Sequence, residues 1–152
     1  MGPSQGQPRI LCIHSAAEAR TARALAGPTG EGAALRFLSA PGAASYLGAA
    51  GFRAILGEEW PQAILDCGDA PGRALEALRL GCPAVVLAPH VPAFAALVGI
   101  AAAQGAVLLP ARPPHLDLAR VDLSKPAGLA YLSAFLAGGS EGAHLHHSPD
   151  MP

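Results

Sequence analysis

Five short apolar runs, each closed by residues that break or cap regular structure, constrain what this chain can fold into. They are Arg9–Ile13, Ala34–Leu38, Ala63–Cys67, Ala84–Ala88 and Ala106–Leu109. Each is too short for an ordinary helix, and none alternates apolar with polar residues. That pattern belongs to strands covered on both faces. Stretches of helical character separate them: Ala16–Ala26, 43–56, Ala70–Leu80 and Pro92–Gln104. Leu116–Asp122 reads as a short irregular or edge element, and a last helix spans Pro126–Ala137. Strands that alternate with helices predict a parallel sheet covered by its own crossovers. With right-handed connections, the simplest solution is a three-layer α/β/α fold with a five-stranded, mostly parallel, flavodoxin-like sheet. A partial β/α barrel uses the same alternation, although five units are too few for the complete eight.

Local signals support these boundaries. Ser15 with Glu18 three residues later forms a capping-box pattern at the first helix. Asp69 and Ser124 are the candidate caps of the helices that follow them. Gly27-Pro28 and Gly81-Cys82-Pro83 are helix stops, while Gly48 and Gly51 weaken the second helix. Residues 1–8 and 139–152 are polar or rich in Gly and Pro, so both ends are expected to be disordered around one α/β domain at 9–138.

Composition narrows the function classes. A chain of 152 residues, 51% of them hydrophobic, can bury a sizeable core. Only 14% are charged, against roughly 25% in an average soluble domain. The net charge of −1 and the scattered Arg and Lys give no basic patch, so no nucleic-acid partner is expected. The longest nearly uncharged stretch, Val91–Ala103, is shorter than the about 20 residues a bilayer requires, so no membrane partner is expected either. Cys12, Cys67 and Cys82 lie far apart, are odd in number and form no Cys-x-x-Cys pair. With no export signal at the start, reduced structural thiols in the cytoplasm are the expectation.

In open α/β sheets, ligands bind outside the carboxyl ends of the strands. Here those ends carry His14, Ser15, Ser39, Asp66, Asp69, His90 and Arg112. These seven are the candidate ligand-binding residues, for a small anionic or carbonyl-bearing ligand. A flavodoxin-like order makes the first, third and fourth strands neighbours, so His14, Asp66, Asp69 and His90 could share one crevice. Imidazole and carboxylate would suit zinc or manganese there, but no two sit at a recognised ligand spacing, and no metal is assigned. Neither Gly-x-Gly-x-x-Gly nor a P-loop occurs, so no cofactor is identified.

Two alternatives stand beside ligand binding. Cys67-Gly-Asp-Ala-Pro-Gly-Arg73 has a Cys and an Arg five residues apart at a strand-to-helix junction. It resembles the signature loop of cysteine phosphatases, which implies a hydrolase with Cys67 as a low-pKa nucleophile and Arg73 as the anion clamp. Asp66 stands where that family places His, and Ala74 where it places Ser or Thr. Catalytic candidates are therefore Cys67, Asp66 and Arg73. The other alternative is a non-catalytic homodimer. Segments 92–104 and 126–137 are apolar nearly all round, and such helices suit a self-association surface.

Overall fold

The computed structural model describes residues 7–28 and 34–138. The expected disorder at 1–8 and 139–152 falls, apart from residues 7 and 8, outside the described residues. The strands are β1 (Arg9–Cys12), β2 (Leu35–Leu38), β3 (Ala63–Asp66), β4 (Ala84–Val86), β5 (Val107–Leu109) and β6 (Leu116–Asp117). The α-helices are α1 (Ala16–Ala26), α2 (Gly48–Leu56), α3 (Pro71–Arg79), α4 (Phe94–Ala103) and α5 (Pro126–Leu136). The chain is α/β, with a parallel sheet flanked by helices, consistent with the three-layer, flavodoxin-like class. Six strands are present rather than five, because Leu116 and Asp117 pair beside β1 as an edge strand.

The strand order is β5-β4-β3-β2-β1-β6, which differs from the expected neighbours. β2 stands between β1 and β3, so β1 is not adjacent to β3. Each of the first four crossovers is short and moves the chain on by one strand. β6 then pairs on the other side of β1, and the strand order reverses there.

Two compact units divide the chain. One takes in the chain up to Arg36 and from Pro114 onward, and the other is Phe37–Pro113. In the first, β1 pairs with β6, and Arg9 N donates to Ala34 O (2.7 Å) just ahead of β2. α1 packs against α5. Leu11, Ile13, Leu118 and Leu132 are buried there, and Ala19 and Ala22 form the buried stripe of α1. In the second unit β2, β3, β4 and β5 pair in sequence, and every residue of β3 and β4 is buried. α3 packs against both α2 and α4. The two apolar helices α4 and α5 therefore have separate neighbours, each within its own unit.

Ser15 Oγ accepts from Glu18 N (3.2 Å), as the sequence implied. The reciprocal bond goes one residue earlier, from His14 N to Glu18 Oε1 (2.7 Å). Asp69 does not cap α3, whose first residue is Pro71 and whose N-cap, Ala70, offers no side-chain acceptor. Proline at that position removes one of the free N–H donors of the first turn, and its fixed φ suits the helix. Ser124 does not cap α5 either: Pro126 opens the helix behind Lys125. Among the described residues no helix is long and apolar enough to cross a membrane.

One close approach fixes the start of α5. A Cβ added at Gly128 would collide with the backbone carbonyl of Asp122, which cannot swing aside as a flexible side chain would. Gly128→Ala should therefore destabilise the fold by about 2–3 kcal/mol despite alanine's higher helix propensity, as forced overpacking does. Chemical denaturation checks this, and a stabilised variant would contradict the geometry.

Candidate functional site

The second unit brings three of the seven candidates together at the carboxyl ends of β2 and β3. Asp66, the last residue of β3, is buried. Its Oδ1 accepts from Gly68 N (2.8 Å) and its Oδ2 accepts from Arg112 Nη1 (2.7 Å). The same Nη1 donates to Ser39 O (3.0 Å). Ser39 Oγ accepts from Asp66 N (2.9 Å) and donates to Ala40 O (3.1 Å), so this hydroxyl is a structural bridge and not a poised nucleophile. Arg112 reaches this point from the Pro-rich segment after β5, and its side chain keeps 22% of its surface exposed against 6% for Asp66.

A carboxylate this buried needs its partners, because desolvation penalises the charged form unless it is paired and hydrogen-bonded. Asp66 has an amide on one oxygen and a guanidinium on the other. Its place at the end of a buried strand is thereby explained. Around it the chain turns through Gly42 (φ 63°) and Gly68 (φ 58°), left-handed conformations open to glycine. A Cβ at Gly68 would sit 3.7 Å from Gly42 Cα, so these two turns lie against each other. Asp69 and His90 are exposed on the loops after β3 and β4 and take no part in the bonded group.

Cys67 lacks what a hydrolase would need. Its thiol is fully buried and directed at Leu65 O (3.7 Å). Burial pushes its pKa up to about 12, and Cys82, Asp66 and Glu76 add to the rise. Such a thiol stays protonated at neutral pH, the reverse of an activated nucleophile. Arg73 turns to the exposed helix face and pairs with Glu76 (3.1 Å). The phosphatase-like spacing is present without the chemistry.

The first unit holds a second group at the ends of β1 and β6. His14 Nε2 lies 2.8 Å from Asp117 Oδ1 and 3.8 Å from Cys12 Sγ. Asp117 Oδ1 also accepts from Ala119 N (3.0 Å). Partial burial raises the Asp117 pKa, but the hydrogen bonds from His14 and Ala119, with the charge of His14 and His115, outweigh it and hold the carboxyl below its usual value. Ser15 is occupied as the cap of α1. Neither Cys12 nor Asp117 stood out in the sequence as functional. Cys12 reads as core, and Asp117 lies in a segment that reads as a short irregular or edge element.

Two measurements follow from these contacts. Arg112→Ala strands the buried Asp66 charge and should lower stability by about 3 kcal/mol, as breaking a buried pair does. Adding Asp66→Asn should restore part of that loss, and urea unfolding of both single variants and the double would reveal simple additivity if the pair were uncoupled. For Asp117, a folded-state pKa below the unfolded value stabilises the native form above that unfolded value. The benefit disappears as pH falls through the lower, folded value. The melting temperatures of wild type and Asp117→Asn should therefore differ at neutral pH, and the difference should shrink only as pH falls below the usual carboxyl value of about 3.9. No family model, curated protein or solved structure matches this chain, so the chemistry of these two groups is the guide to its role.

Proposed function

We propose that this protein binds a small ligand bearing a carbonyl or carboxylate group at the carboxyl ends of β2 and β3, with Arg112 as the recognising side chain. One observation carries the reading: a guanidinium drawn back from beyond β5 and held in place by a buried carboxylate and a carbonyl. An anchored guanidinium loses little further freedom when it binds, which favours recognition by a rigid planar fork. Asp66 offsets its charge, so a planar hydrogen-bonding group suits the site better than a polyanion. The paired glycine turns leave space for backbone to approach a ligand closely. Cys12, Cys67 and Cys82 are all outside disulfides, which supports a reducing, cytoplasmic setting.

A thermal-shift panel of small mono- and dicarboxylates, 2-oxoacids, amides and inorganic phosphate tests the proposal. A ligand at 100 times its dissociation constant adds about 2.7 kcal/mol of stability. The binder should fail to shift Arg112→Lys, which keeps the charge and loses the fork. A panel with no shift, or a shift indifferent to Arg112→Lys, would reject this role for Arg112.

A second reading is self-association through α4. Only Phe94, Leu97 and Ala101 form its inward seam, with Leu97 and Ala101 buried. The rest of this uncharged helix faces outward, including Val98 (41% exposed) and Ile100 (40%), and Val107 on edge strand β5 is 52% exposed. Large apolar side chains left open on one helix and an edge strand are the material of interaction sites. Sedimentation at increasing concentration should show a dimer that Val98→Asp weakens, and a monomer throughout would end the idea.

A further inference from the structure

We propose that Cys12, His14 and Asp117 form a binding site for a divalent metal ion of the zinc class, at the carboxyl ends of β1 and β6. The arrangement follows from strand geometry. Cys12 and Asp117 are register partners in the parallel β1–β6 pair, so their side chains leave the same face of the sheet. His14 comes two residues after Cys12, and the two-residue period of an extended chain returns it to that face. One sulfur, one nitrogen and one oxygen thus converge, with all three ligand atoms within 4.8 Å of one another.

The distances fit a cation better than they fit a catalytic relay. In a Cys–His–carboxylate relay the imidazole uses one nitrogen for the thiol and the other for the carboxylate. Here Nε2 faces both Cys12 Sγ (3.8 Å) and Asp117 Oδ1 (2.8 Å). A single ring nitrogen cannot serve both as base and as oriented donor, but it can share a cation with both neighbours. Tetrahedral zinc, with bonds of about 2.3 Å to sulfur and about 2.0–2.1 Å to nitrogen and oxygen, separates its ligands by roughly 3.3–3.6 Å. To reach that geometry the S···N distance closes and the N···O distance opens by a few tenths of an ångström, and the S···O separation, within 4.8 Å, closes toward about 3.6 Å. Thiolate, imidazole and carboxylate together suit a borderline metal such as zinc.

The surroundings agree. Ala119 N orients the Asp117 carboxylate, and Glu18 holds the His14 backbone amide, the outer support a metal site needs. The His14 and Asp117 side chains are 34% and 33% exposed, while Cys12 is buried beneath them. Three protein ligands with one solvent-facing side leave a coordination position for water or a ligand atom, the pattern of an open rather than a closed structural zinc site. The group also lies at the carboxyl ends of β1 and β6, where the strand order reverses, the place that open α/β sheets use for ligands. Binding exchanges the thiol proton for the metal, so a proton is released and affinity rises with pH.

Cobalt(II) is the probe, titrated into the full chain after chelator treatment. His144, His146 and His147 are replaced by Ala in every sample, so that the C-terminal histidines cannot supply the signal. The expected result is one cobalt per chain, with a thiolate-to-cobalt charge-transfer band, tetrahedral visible bands, and displacement of both by zinc. Cys12→Ser should abolish the charge-transfer band. His14→Ala and Asp117→Asn should each weaken binding by about 100-fold, at or beyond the upper end of what losing an outer-shell partner does. Circular dichroism confirms that each variant is folded, and should one not fold, the remaining two decide. Absence of a sulfur band at saturating cobalt, or a band that survives Cys12→Ser, would overturn the proposal.

Discussion

The buried charge of Asp66 is the constraint on which the second unit's carboxyl edge depends. A carboxylate at the end of a strand that is buried throughout is tolerated only if both oxygens are satisfied. Gly68, in a turn with φ 58°, presents its amide to one oxygen, and Arg112 must reach back from beyond β5 to the other. Ser39 completes the group, bonding the backbone of β3 through its hydroxyl and Arg112 through its carbonyl. Three segments far apart in the chain are thus tied at one point.

The first unit shows the same dependence of chemistry on register. β6 is only two residues long, and its pairing sets Asp117 beside Cys12. A shift by one residue would turn the carboxylate to the opposite face of the sheet. The His14–Asp117 bond and the Asp117–Ala119 turn hold that short strand in place where its own ladder is too brief to do so.

Much of the fold was legible in the sequence because its signals are local. Each apolar run became a strand within a residue or two, Ser15 capped α1, and Gly48 broke the second helical stretch. Two expected caps, Asp69 and Ser124, each stand one residue ahead of the N-cap position, which Ala70 and Lys125 take in front of a proline. The site was legible only in part. Ser39, Asp66 and Arg112 converge, but His14 found a partner no pattern had marked, and Cys67 and Arg73 matched a spacing while burial and Glu76 removed its chemistry.

By itself, then, the sequence determined the α/β class, the strands and helices, and the strand ends where polar side chains gather, since periodicity and turn chemistry act over a few residues. The tertiary structure alone decided the strand order, the sixth strand and the company each polar residue keeps. Those depend on parallel pairing between segments up to about a hundred residues apart, such as Cys12 with Asp117, and on burial that raises one thiol's pKa while leaving an imidazole and a carboxylate partly open to water.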